Sequence, residues 1–201
     1  MSDPVDVPSL PLVADLSPTD HADCMRLIAA WRSLSSEESM LPARSAFRPE
    51  TVVSLLPRIS ILERLNAESL VLRLVGEDIK LQGHAINVGT DLLEVSLPSL
   101  ASFFADTFDR GFGHPCGLSM LMDKVLVTGG WTRVHMLAVP FRGSTDQAPH
   151  FLVACCHEVT RHYLLDSAKI TQHMPISARW LDLGYGVPGD LADRTFERPR
   201  T

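Results

Sequence analysis

The stretch CGLSMLMDKVLVTGGWTRVHMLAVP, residues 116–140, decides the fold. Its first half sets Cys116, Leu118, Met120, Met122 and Leu126 at even spacing, the period at which strand side chains share a face. Thr128-Gly129-Gly130 then predicts a hairpin turn, because glycine accepts positive φ at little steric cost. The second half returns with Thr132, Val134, Met136 and Ala138 on one face. Trp131, Arg133, His135, Leu137 and Val139 lie on the other. A loop over 142–149 leads to a further strand from Phe151 to Val159.

Working outward, Ser96 and Pro98 open a helix whose Leu100, Phe103, Phe104 and Phe108 form an apolar face, and Gly111 and Gly113 are expected to end it. Before it, Asp78 to Val95 is irregular, broken by Gly83 and Gly89. Two more strands precede that segment, Ile59 to Leu65 and Leu70 to Val75, turning at Asn66-Ala67-Glu68. Leu70, Leu72 and Leu74 are read onto one face of the second strand, with Val71 and Arg73 opposite. A short helix runs from Arg48-Pro49-Glu50 to Pro57. Further upstream, Ser17-Pro18-Thr19-Asp20 is a helix start. Cys24, Leu27, Ile28, Trp31 and Leu34 then make one amphipathic stripe to about Ser35. The order predicts an α+β fold: a five-stranded antiparallel sheet flanked by helices, with a helical connection crossing one face. The expected organisation is a flexible lead-in over 1–16, one domain over 17–165 and a C-terminal extension over 166–201.

The 201 residues carry 18 Lys and Arg against 24 Asp and Glu, net −6, with no basic cluster to grip phosphates. Nucleic-acid and anionic-membrane partners are therefore not expected. No apolar run has the length of a membrane span, and Met1-Ser2-Asp3-Pro4 does not open a secretory leader. Cys24, Cys116, Cys155 and Cys156 have no metal-ligand spacing, which predicts a cytoplasmic protein with reduced thiols.

Several short motifs resemble the PAS domain, the sensory fold in which helices wrap a five-stranded sheet, and more closely a single-domain PAS-like family common in alphaproteobacteria. They are Trp31, Leu41-Pro42-Ala43-Arg44-Ser45 with Phe47 and Pro49, and Leu56-Pro57. Arg73-Leu74-Val75-Gly76 with Ile79, Val139-Pro140 and the closing run from Trp180 to Pro188 complete the set. The resemblance implies a regulatory or sensory role and the use of a helix and the outer sheet face for dimers. Glu77 stands where the family often has Thr, and His84 to Thr90 departs from its usual pattern.

Catalytic constellations fail on spacing or facing. Cys155 and Cys156 point to opposite strand faces, and Cys155 with His157 has no third partner. His157 and His162 with one cysteine give only one weak zinc-ligand set. His114 is the best-placed haem ligand but follows two glycines as a loop residue, and no cysteine between His84 and Leu97 could serve a flavin photosensor. Asp106 and Asp109 sit on different helix faces, and Gly83 and Gly89 frame no phosphate loop. Arg73 could clamp a carboxylate or phosphate, although a cross-strand ion pair with Glu63 is favoured. With Arg73, the residues Phe104, Phe108, Met120 and Met122 make the candidate ligand pocket between helix and sheet. Leu27, Trp31, Trp131, Arg133 and His135 make the candidate interface.

The expectation is a non-catalytic PAS-like regulatory module acting in trans through a protein partner, a second copy or a small apolar or anionic ligand. No cofactor and no metal are predicted. The alternatives are a cofactor or thiol enzyme whose site forms only in the fold, and a purely structural adaptor.

Overall fold

The computed structural model describes residues 21–81, 86–126, 130–144, 149–162 and 170–196, with the side chains at 80–81, 157–162 and 170–171 outside that description. The lead-in, the Ser17-Pro18 helix start, Gly83 and the Thr128-Gly129 half of the hairpin turn fall outside it. Helix α1, Ala22–Arg32, is capped by His21, whose ring accepts from the Asp23 N–H at 3.3 Å. Two 3₁₀ segments follow, Arg44–Ala46 and Pro49–Arg58. Strands β1 (Ile59–Asn66) and β2 (Ser69–Val75) lead to α2 (Glu77–Leu81) and α3 (Pro98–Gly113). Then come β3 (Cys116–Leu126), β4 (Trp131–Arg142), β5 (Pro149–His162), β6 (Ile170–Asp182) and β7 (Arg194–Thr195).

All strands join one antiparallel sheet in the order β2-β1-β5-β4-β3-β6-β7. The first five places match the expected five-stranded core, but the sheet has seven strands, because β6 and the short β7 extend it past β3. The chain after residue 166 thus supplies sheet. Strand β6 escapes a period-two reading for a physical reason. Pro175 interrupts its middle, and the register against β3 slips by one residue between Met122 and Leu121, leaving Ile176 as a bulge.

A second bulge corrects β2. Ile61 pairs with Leu74 but Leu62 pairs with Leu72, so Arg73 is the extra residue and the faces exchange there. Leu70 and Leu72 pack with the α3 side, whereas Leu74 packs on the opposite side and Val75 returns. The outer edge of β2 is not left open: the Leu72 N–H bonds Thr90 O and the Leu92 N–H bonds Leu70 O, each at 2.9 Å.

The sheet separates two apolar layers. On the inner face, Leu100, Phe103, Phe104, Phe108 and Phe112 of α3 pack on Leu118, Met120, Met122, Met136 and Trp180. On the outer face, Cys24, Leu27, Ile28 and Trp31 of α1 pack on Ile59, Ile61, Leu137, Val139, Phe141 and Val153. The stripe of α1 therefore covers its own sheet. Gly111 lies inside α3 as a buried contact and does not end the helix.

Candidate functional site

The inner face between α3 and the sheet is where the sequence places a ligand. Phe104, Phe108, Met120 and Met122 do meet there, all buried in one close-packed layer. Arg73 does not join them. It is exposed on the β2 bulge and pairs with Glu63 of β1, which also faces His150 at 3.3 Å. Arg64 does reach α3, stacked over the Phe108 ring at 4.3 Å and paired with Asp109, and Arg194 lies over Phe103 at 6.0 Å.

Toward one end of the same face the apolar layer gives way to polar side chains. Lys124 of β3 stands directly between His173 of β6 and Thr132 of β4, and all three are buried. His173 has no hydrogen-bond partner at either ring nitrogen among the described residues. Burial, and next the charge of Lys124, hold its pKa down at about 3 against an opposing contribution from the Val95 carbonyl. Cys156 lies further along this face, its thiol pushed up to about 11 mainly by burial, with Ser60 beside it. His173 is the residue that sequence reasoning misses. Its only signal is a histidine on a strand beyond the expected sheet.

On the outer face, Leu27 and Trp31 are wholly buried against the chain's own strands, and the Trp31 indole donates to the Pro140 carbonyl at 2.7 Å. They reach another molecule only if α1 leaves the sheet. Arg133 is buried too, held by Asp123 directly opposite through a bidentate pair at 2.8 and 3.0 Å, and it stacks on Trp131 at 5.2 Å. His135 shares a 2.7 Å hydrogen bond with Ser119. Burial lowers its pKa to about 4, so the ring is neutral at pH 7. Of the five candidate interface residues, only Trp131 retains partial exposure.

The four cysteines are free and buried. Cys24 lies by Cys155, and their shared hydrogen bond, ahead of burial, raises the Cys155 pKa far above the usual thiol range. Cys116 is pushed up to about 11 by burial and then by Asp182. Such thiols stay protonated and make poor nucleophiles. The His157 and His162 side chains lie outside the described residues, among which no group of three or more potential metal ligands occurs. His114 is exposed and its Nε2 shares a 2.7 Å hydrogen bond with the Tyr185 carbonyl, so it does not face the α3 core. Gly89 has φ 93° and its N–H bonds Leu72 O at the sheet edge, which leaves no phosphate cradle there. An open groove of about 340 Å³ runs between α1 and the second 3₁₀ segment, lined by Arg26, Ser33, Ser54 and Leu55 among others.

A sheet with α3 on its inner face and α1 on its outer face defines the class as an α+β fold built on one antiparallel sheet. A family model described as PAS domain matches residues 19–155, and the chain belongs to that family. No curated protein and no solved structure matches the chain. Among the described residues, no helix is long and apolar enough to cross a membrane.

Proposed function

We propose that the chain is a non-catalytic PAS regulatory module that acts in trans, in the cytoplasm, by responding to a small ligand or by binding a protein partner or a second copy of itself. The observation that carries this reading is the two-sided burial of the sheet. The inner layer places polar groups within an apolar core, and the outer layer is closed by α1 together with Phe47 and with Val52 and Leu55 of the second 3₁₀ segment. A helix of 11 residues is marginal in isolation, so its docking depends on the sheet beneath it. A change in inner-face packing can alter that support, and undocking would uncover Leu137 and Val139 for a partner while Phe47 stays on Phe141. The raised thiol pKa values and the orientation of His114 weigh against thiol and haem chemistry.

The close packing of Phe104, Phe108, Met120 and Met122 favours a second reading, a structural adaptor with a filled core. Thermal-shift screening of the full chain with metabolites, alongside light scattering over a concentration series, separates the two. Stabilisation by a metabolite or concentration-dependent dimerisation supports the regulatory module. A monomer that nothing stabilises leaves only the adaptor. An absorbance band above ~300 nm in purified protein would point instead to a bound haem or flavin and overturn the cofactor-free reading.

A further inference from the structure

Buried polar groups are paired in the great majority of cases, and each exception calls for a physical account. His173 is such an exception: it is 1 % exposed, and neither ring nitrogen has a partner among the described residues. The Val95 carbonyl, which acts to raise the ring's pKa, accepts the backbone N–H of His173 at 3.0 Å. Because burial keeps the imidazole neutral, it presents one N–H donor and one lone pair; the Val95 carbonyl lies near the ring, and neither nitrogen makes a hydrogen bond among the described residues. Directly across the ladder stands Lys124, 3 % exposed. Lys124 and Thr132 have interactions of their own in the fold, so they set the sign of the local field while His173 supplies the open contact.

The surroundings narrow the chemistry. An N–H donor next to a buried ammonium favours an anionic oxygen, since charge-assisted hydrogen bonds are the strong ones. The neighbours on the same strand faces, Met122 and Leu126 of β3 and Val134 of β4, are apolar. Desolvating a doubly charged phosphate there costs more than desolvating one carboxylate, and methionine side chains adapt to a hydrocarbon body. We propose that His173, beside Lys124, is the polar anchor of a buried subsite for a monocarboxylate with an apolar tail. The tail would lie against Met122 and Leu126. The anchor sits on β6, beyond the residues matched by the family model. This inference rests on the small-ligand arm of the regulatory reading above.

The test titrates the full chain at neutral pH with straight-chain carboxylates from butyrate to decanoate, with length-matched primary alcohols, and with inorganic phosphate. Thermal midpoints and the imidazole ¹⁵N resonances of His173 are followed together. The expected result is saturable stabilisation by at least one carboxylate, none by its alcohol or by phosphate, and a shifted His173 resonance. His173→Phe and Lys124→Met should each weaken binding roughly tenfold, the loss expected for one charge-assisted hydrogen bond. If His173→Phe does not fold, the wild-type resonance still decides. The proposal is overturned if no carboxylate moves the midpoint or the resonance, if alcohol or phosphate does as well, or if His173→Phe binds equally. A dimer, or a different metabolite that stabilises wild type and His173→Phe alike, would leave the regulatory reading standing while removing this subsite.

Discussion

Gly111 of α3 lies flat against the indole of Trp180 on β6, so close that a Cβ at position 111 would fall 2.1 Å from the Trp180 ring carbons. Glycine inside a helix costs about 1 kcal/mol relative to alanine, so the position is set by this approach and not by helix propensity. Trp180 cannot step aside easily, because Phe103 and Phe112 flank it with ring centroids at 6.1 and 5.2 Å. Gly111→Ala is therefore expected to destabilise by about 2 kcal/mol despite the propensity gain, as overpacking does. Urea denaturation measures it. In a Trp180→Leu background the penalty should largely vanish; equal penalties in both backgrounds would remove this explanation.

Two arginine pairs separate exposed from buried electrostatics. Arg73, exposed and paired with Glu63, should lose no more than about 1 kcal/mol on change to alanine. Arg133 is buried on a buried carboxylate, so Asp123→Ala leaves a cation without its bidentate partner, and a loss of about 3–5 kcal/mol is expected. Replacing both members with apolar residues should recover much of that loss. Chemical denaturation of the three variants checks the order, and comparable costs for Arg73→Ala and Asp123→Ala would contradict it.

Acid should weaken the fold through its neutral histidines. His173 and His135 have folded pKa values near 3 and 4, below the ordinary 6.5 of the unfolded chain. Between those limits the unfolded state binds more protons, so stability falls as pH drops. Their stabilising contribution is complete above about pH 6.5 and is lost toward pH 4, at up to about 1.4 kcal/mol per pH unit for each group. Denaturation midpoints from pH 7.5 down to pH 4.5, on the order of ten points, would trace the slope. His173→Phe should flatten the curve, and an unchanged slope in that variant would show that His173 ionises elsewhere than supposed.

Much of this architecture is legible in the chain because apolar periodicity and turn chemistry agree over long stretches. Strands β3 and β4, the α3 phenylalanines and the α1 stripe all follow from spacing. What spacing cannot supply is a register slip. Arg73 and Ile176 each insert one residue, and from that point a period-two reading assigns side chains to the wrong face. The polar site is hidden for the same reason. Lys124 and His173 are nearly 50 residues apart, and only the β3–β6 register sets them opposite each other. Arg73 draws attention as a mid-strand charge, yet a bulge turns it outward to Glu63.

The docking of α1 is the last point that energetics can decide. Trp31 is wholly buried, donates to Pro140 O, and meets Tyr185 edge-on with ring centroids 6.3 Å apart. The segment after β6 adds a clasp: Arg32 Nε donates to Leu183 O at 3.0 Å, and the Tyr185 hydroxyl donates to Ser36 O at 3.4 Å. Trp31→Ala removes an anchor of the α1–sheet contact and should cost about 3–5 kcal/mol if unfolding is a single transition. If α1 instead undocks locally, hydrogen exchange in 22–32 will rise while the β3–β5 amides stay protected. Tyr185→Phe loses only the hydroxyl contact and should leave α1 exchange within about threefold of wild type, since one exposed hydrogen bond contributes little. Deleting residues 1–36 is then a poor probe of dimerisation, because it uncovers Leu137 and Val139 and should drive aggregation. A stable, monodisperse deletion product would show that α1 is dispensable to the sheet and would reverse this account of its role.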